Sequence, residues 1–257
     1  MAEQQLSDLI PRFDLRGMDL QLGRMRLALQ ALGSPCGDIP AIQVAGTNGK
    51  GSIASFLSAA LQQAGLRSGV TTSPHLVSWC ERIAIDGIPI SEGHLRQLLL
   101  AQQELCAEHQ LTPFEQLLTA ALAHFHTEAV ELLVLEVGLG GRLDATTAHP
   151  NRPVIAMASI GLDHCEHLGS TLAAIAAEKA AAITPGARVI SSDQPAPVRV
   201  VLEQTCRANK ANLQWVDPLP SDWTLGLAGN WQRRNAAVAR GALQALRPLG
   251  WNLDETT

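Results

Sequence analysis

Residues 41–64 read Ala41-Ile-Gln-Val-Ala45, then Gly46-Thr-Asn-Gly-Lys-Gly-Ser52, then Ile53-Ala-Ser-Phe-Leu-Ser-Ala-Ala-Leu-Gln-Gln-Ala64. The first piece is short and β-rich. The last has apolar residues at Ile53, Phe56, Leu57, Ala60 and Leu61, a helical period. Between them lies a glycine turn. Glycines where a strand gives way to a helix let successive backbone N–H groups face inward, and the helix N-terminus adds partial positive charge, so the loop is built to hold phosphate. The candidate phosphate-binding residues are Gly46, Thr47, Asn48, Gly49, Lys50, Gly51 and Ser52. Lys50 is placed to reach the β- and γ-phosphates, and the Ser52 hydroxyl to ligate Mg²⁺. The spacing G-x-x-G-K-G-S has a glycine between Lys and Ser that the common G-x-x-x-x-G-K-[ST] pattern lacks.

Outward from this unit, strand-like and helix-like patterns take turns. Ser68–Thr72, Leu132–Leu135, Val154–Ser159 and Arg188–Ser191 read as strands. Glu92–Gln110, Pro113–Glu128, Thr171–Ile183, Pro197–Asn209 and Trp231–Leu249 read as helices, Pro113 standing in a first turn. Such alternation predicts an α/β fold with a mostly parallel sheet flanked by helices. The weak points, Ser34–Gly37, Pro185-Gly186 and Asp217–Pro220, are short enough to be ordinary loops. One domain over residues 1–257 is therefore expected.

Composition narrows the partners. The 257 residues are 46% hydrophobic and 17% charged, with a net charge of −5, so the chain has no basic footprint for nucleic acid. The apolar runs 129–137 and 171–183 fall short of the ~20 residues a bilayer requires. The N-terminus lacks a basic and then apolar export pattern, so a cytoplasmic protein is expected. Five scattered cysteines without a C-x-x-C pair suggest neither a disulfide framework nor a zinc site.

Three other segments offer chemistry. Leu135-Glu-Val-Gly-Leu-Gly-Gly-Arg-Leu-Asp144 follows an apolar strand, and ligands of parallel sheets collect at such strand ends. Glu136 there is a candidate ligand for a hard cation, although a Glu at a strand end with a Gly soon after it is also a common turn. Asp163 and His164 lie beyond another strand end, where an imidazole ligand would have an orienting carboxylate beside it. Glu178-Lys179 sits in an Ala-rich helix. Of 19 basic residues only Lys50, Lys179 and Lys210 are lysines, and arginine does not replace an amine that must be compact or modifiable.

Gly46–Ser52, Thr72-Ser-Pro-His-Leu76, Glu81-Arg-Ile83, Thr112-Pro-Phe-Glu115, Leu135–Thr146, Asp163-His164 with Leu168-Gly169, and Ile175-Ala-Ala-Glu-Lys-Ala180 together resemble folylpolyglutamate and dihydrofolate synthases of the Mur ligase superfamily. The likeness runs from about Gly17 to Leu249. It implies an ATP-dependent ligase that joins glutamate to a folate or dihydropteroate carboxylate through an acyl phosphate, using two Mg²⁺ ions. Carried over, Lys50 and Ser52 hold phosphates and the first ion, while Ser73, Glu136 and His164 hold the second. Lys179 matches a lysine that is carbamylated in the family. Thr112, Phe114 and Asp144 match the pteroate site, with Ser73–Leu76 as the mobile loop over it. Gln232 and Asn235 match residues that approach adenine, with Trp231 where His is common.

Members of that family are longer and carry Trp-Pro-Gly-Arg and Asp-Gly-Ala-His-Asn segments in a second, glutamate-binding domain. Neither segment occurs here. The resemblance therefore implies an ATP-binding domain lacking its glutamate-binding partner, which would have to be supplied in cis or in trans. The alternative is a truncated nucleotide-binding module without ligase activity of its own.

Overall fold

The computed structural model describes residues 6–10, 21–251 and 253. Gly17, where the family resemblance begins, lies outside them, as do residues 254–257. In chain order the elements are α1 (Leu6–Leu9), α2 (Leu22–Ala31), β1 (Ala41–Ala45), α3 (Lys50–Gln63), β2 (Ser68–Thr71), β3 (Ile83–Ile85), β4 (Ile88–Pro89), α4 (Glu92–Ala101), α5 (Gln103–Glu108), α6 (Pro113–Thr127), β5 (Leu132–Glu136), β6 (Val154–Met157), α7 (Cys165–Leu168), α8 (Leu172–Ala180), β7 (Arg188–Ser192), α9 (Ala196–Ala208), β8 (Asn212–Val216) and α10 (Gln232–Leu246). Among the described residues eight strands form one sheet in the order β4-β3-β2-β5-β1-β6-β7-β8.

From β2 to β8 every neighbouring pair is parallel. β1 lies between β5 and β6, with Ile42 level with Val134 on one side and Val154 on the other. Ligands of open α/β sheets bind at the carboxyl ends of the strands, where the connections part to opposite sides. The glycine loop leaves β1 at that point.

Both faces of the sheet are covered, which is why β1, β2, β5 and β6 are buried throughout. On one face Ile42, Val44, Val134 and Ala156 pack against α3 and α10. The opposite face carries α6 over β2 and β5, and α8 and α9 over β6 and β7. Close approach depends on glycine at two places. A Cβ on Gly69 of β2 would lie 2.7 Å from the Phe125 ring, and one on Gly241 of α10 would lie 2.7 Å from Ile190.

The α/β reading holds, with corrections at several elements. Glu92–Gln110 is two helices that part at Gln102, and no proline or glycine there explains the break. Trp231–Leu249 ends its α-helix at Leu246, where Pro248 follows within a short 3₁₀ turn. The sheet is mostly parallel as expected, with β3 and β4 as its antiparallel edge. β8 and α2 were not read as elements: β8 is only half-buried, so its apolar pattern is weak.

Candidate active site

The loop at residues 46–52 gets its shape from its glycines. Gly46 (φ 136°) and Gly49 (φ 96°) occupy the left-handed region that a side chain disfavours. A Cβ on Gly46 would also stand 2.6 Å from the Ala158 Cβ, and one on Gly49 would overlap the Asn235 amide. Gly49 precedes the first residue of α3, so Lys50 and Ser52 fall in the first turn, where N–H groups are free to face an anion.

Neighbouring elements fasten the loop on three sides. The Thr47 hydroxyl donates to the Gly161 carbonyl at 3.2 Å and accepts from the Gly161 N–H at 3.1 Å. The N–H groups of Thr47 and Asn48 both donate to the Ser159 carbonyl. From α8, the Lys179 amine donates to the Gly46 carbonyl at 2.8 Å. From α10, Gln232 Nε2 donates to the Ser52 hydroxyl at 3.2 Å, and Asn235 Nδ2 to Gln232 Oε1 at 2.9 Å. Lys50 folds back, its Nζ donating to the Thr47 carbonyl at 3.1 Å.

Glu136 ends β5 and sits beneath the loop. Its carboxylate oxygens lie 3.7 and 3.9 Å from where a Cβ on Gly51 would be, and Oε2 accepts the Ser73 N–H at 3.0 Å. The residue is 4% exposed. Burial raises its pKa to about 7, against the lowering influence of the Ser73 N–H and Lys50. Lys179 is 3% exposed, and burial lowers its pKa to about 8, with Lys50 adding to the effect. An acid and an amine thus face the same loop, each pushed toward its neutral form.

The remaining site residues divide. Asp144 is buried and fully engaged within its own loop, accepting from the N–H groups of Gly138, Leu139 and Thr146 and from the Thr146 hydroxyl. A carboxylate has about four acceptor positions, so contact with a pterin would displace one of these. Thr112 is the N-cap of α6, in a reciprocal box with Glu115 that Arg24 also joins at 2.9 Å. Phe114 lies against the backbone at Gly138, whose Cβ would be 3.1 Å from the ring. The structure therefore brings Phe114 and Asp144 to the same glycine stretch. The His164 ring has Asp163 at 3.7 Å and Glu166 at 3.9 Å. Among the described residues no three His, Cys, Asp or Glu side chains gather into a metal-holding group.

Sequence reasoning passed over Gln43 and assigned no role to Arg82 or Glu81. Gln43 is fully buried in β1 and donates to the hydroxyls of Thr146 and Thr147 while accepting from Arg152. The signal was a lone amide in an apolar strand, since a buried amide requires partners. Arg82 is buried; its Nε donates to His75 Nδ1 at 2.8 Å and its Nη1 to the Ser73 hydroxyl at 3.3 Å. Glu81 accepts the N–H groups of Leu76, Val77 and Ser78, which holds the 73–78 loop in shape with Leu76 93% exposed.

A glycine loop at the centre of a mostly parallel, helix-covered sheet, with an acid beneath it, is the arrangement of the P-loop α/β class. Residues 44–208 match the Mur ligase middle domain, and the chain belongs to that family. It is 36% identical over 249 residues to dihydrofolate synthetase of Saccharomyces cerevisiae, covering 90% of this chain and 58% of the relative. It is 34% identical to dihydrofolate synthase/folylpolyglutamate synthase of Mycobacterium tuberculosis, covering 91% of this chain and 56% of that one. Its fold superposes with a TM-score of 0.85, at 33% identity, on Mycobacterium tuberculosis folylpolyglutamate synthase complexed with ADP and AMPPCP, covering 92% of this chain and 61% of that structure. The chain thus spans somewhat over half the length of these relatives. No described helix is long and apolar enough to cross a membrane.

Proposed function

We propose that this chain is the ATP-binding domain of an ATP-dependent ligase that joins L-glutamate to a folate or dihydropteroate carboxylate. The observation that carries the reading is Glu136 beneath Gly51, an acid set under a glycine loop that is fastened from three directions. Rigid donors aimed where charge develops are what phosphoryl transfer requires of a protein. The relatives' printed activities and the bound ADP and AMPPCP of the structural neighbour support the same reading.

In the proposed reaction the folate carboxylate attacks the γ-phosphorus of ATP, giving an acyl phosphate and ADP. The glutamate amine then attacks the acyl carbon, the C–O bond to phosphate breaks, and the nitrogen gives up one proton, which leaves with the phosphate as an amide forms. Lys50 and the N–H groups of the first turn of α3 hold the phosphate oxygens, those of Thr47 and Asn48 being committed to the Ser159 carbonyl. The hydroxyls of Ser52 and Ser73 and the carboxylate of Glu136 are hard oxygen donors that suit Mg²⁺, and His164 is the fourth proposed ligand of the two-ion set. Mg²⁺ supplies neutralisation of phosphoryl charge when bound. Phe114 offers a ring face to the pterin and Thr112 shapes the approach by capping α6.

Lys179 is the proposed site of carbamylation. At a pKa of about 8 roughly a tenth of the amine is neutral at pH 7, far more than for an ordinary lysine. The neutral amine can add to CO₂ with loss of one proton. The product is an anion that still carries an N–H for the Gly46 carbonyl. Its negative charge would favour cations at the loop where an ammonium opposes them.

Ligation itself is proposed to need the remainder of a full-length ligase, in cis or in trans, because the relatives bearing this activity extend well beyond the matched region. Incubating the chain with ATP, Mg²⁺, dihydropteroate and glutamate, with and without that remainder, tests this. Amide product only in its presence supports the reading. Product at equal rates without it contradicts the requirement, and phosphorylation of a non-carboxylate acceptor contradicts the reaction class.

A further inference from the structure

Gln43 is the one polar residue of β1, and its partners leave the amide a single orientation. Arg152 has only donors to offer, so the Gln43 oxygen must face it, and Nε2 then points to the hydroxyls of Thr146 at 2.8 Å and Thr147 at 2.9 Å. Each hydroxyl thus takes an N–H on a lone pair and must send its own proton elsewhere. Thr146 sends it to Asp144 Oδ1, and Thr147 to the Gly141 carbonyl at 2.7 Å. Asp144 holds the N–H groups of Gly138 and Leu139 on its other oxygen, and Gly138 lies against the Phe114 ring. Arg152 is itself fixed, donating to the carbonyls of His149 at 2.8 Å and Ala182 at 2.7 Å. The donors therefore run one way, from Arg152 through Gln43 to two points of the 138–144 loop.

We propose that Gln43 is a positioning residue for the pteroate substrate: by fixing which way the Thr146 and Thr147 hydroxyls point, it sets the 138–144 loop against Phe114 without touching substrate itself. This inference rests on the proposed pteroate site at Phe114 and that loop. A space-filling role and a positioning role part company at Gln43→Glu. The carboxylate has nearly the same shape and pairs with the buried Arg152, yet it offers no N–H, so both threonine hydroxyls turn to it. Asp144 Oδ1 and the Gly141 carbonyl then face lone pairs in place of protons, and the loop must shift. Within a buried network every member feels such a reversal.

The test is calorimetric binding of dihydropteroate, with Mg²⁺ and AMPPCP present, to the wild-type chain, Gln43→Glu, Thr146→Val and Thr146→Ser, beside binding of AMPPCP alone and the ¹H–¹⁵N spectrum of each ligand-free chain. A hydrogen bond to a charged group is worth about tenfold or more. Gln43→Glu and Thr146→Val should bind dihydropteroate about tenfold more weakly and AMPPCP as wild type does, and Thr146→Ser, which keeps the hydroxyl, should recover most of the lost affinity. The amide resonances of Gly138 and Leu139, which contact neither substituted side chain, should move in the first two variants and stay in the third. If Gln43→Glu does not fold, the Thr146 pair carries the same test. Wild-type dihydropteroate affinity in Gln43→Glu or Thr146→Val, unmoved Gly138 and Leu139 resonances, or an equal loss of AMPPCP would each overturn the proposal. A wild-type chain that binds AMPPCP but no dihydropteroate, while the resonances move as expected, overturns the pteroate-site reading instead.

Discussion

The Lys179 amine donates to the Gly46 carbonyl at 2.8 Å, joining α8 to the first residue of the glycine loop across 133 positions of sequence. The bond has a cost. A buried lysine with its pKa lowered to about 8 releases its proton in the folded state well before it does in the unfolded chain. The unfolded chain binds more protons between about pH 8 and 10.5, so folded stability rises with pH across that window. Below pH 8 the full penalty is present. Unmodified Lys179 should make the stability of wild type rise by up to about 3 kcal/mol relative to Lys179→Met between pH 8 and 10.5. Denaturant unfolding in CO₂-free buffer measures it. Parallel pH profiles for the two proteins would show that the amine is not held as described.

Glu136 carries the opposite sign. Its folded pKa of about 7 lies above its ordinary value of 4.5 because the carboxylate is buried. The ligand-free protein therefore loses stability as pH rises from about 4.5 to 7, and the full cost remains above 7. Glu136→Gln keeps an acceptor for the Ser73 N–H and removes the charge. At pH 8 without Mg²⁺ or nucleotide it should be more stable than wild type by on the order of 2 kcal/mol. Under the proposed function it should also lose most of the stabilisation that Mg²⁺ and ATP confer. A less stable ligand-free variant would contradict the electrostatic part.

Gly141 lies where the 138–144 loop meets α8. A Cβ there would be 2.8 Å from the Lys179 carbonyl and 3.0 Å from that of Glu178, both backbone atoms that do not swing aside. Gly141→Ala should cost about 1–3 kcal/mol in overpacking. Gly161→Ala is the matched control, because nothing lies within 4 Å of its Cβ position, and it should stay within about 0.5 kcal/mol of wild type. Thermal unfolding of both variants decides it; equal shifts would mean that α8 yields to the loop.

Much of this architecture was legible in the sequence, for physical reasons that differ between elements. β1 and the glycine loop were clear because a buried parallel strand is a short apolar run and phosphate loops tolerate few other residues. Pro113 announced α6 by its place in a first turn, while the capping of that helix by Thr112 is visible only in the folded chain. β3 and β4 were missed because their pairing depends on a three-residue strand meeting β2, and three residues show no period. Within the site, spacing placed Glu136 at a strand end but not beneath Gly51, a relationship made by β5 pairing with β1. Asp144 stood out as a substrate contact, while the four hydrogen bonds that its own loop donates to it become visible only once the chain is folded. The anchoring of the 73–78 loop by Glu81 and Arg82 was hidden for the same reason.

The proposed binding of ATP phosphates by residues 46–52 is decided by calorimetric titration of ATP with Mg²⁺ into wild type and Lys50→Ala. Lys50 is half-buried at the loop, its amine resting on the Thr47 carbonyl, and charge-assisted bonds of this kind contribute about 1.5–3 kcal/mol. Wild type should bind, and Lys50→Ala should bind more than about tenfold more weakly while unfolding at the same temperature without ligand. Equal binding by the two proteins would contradict the claim.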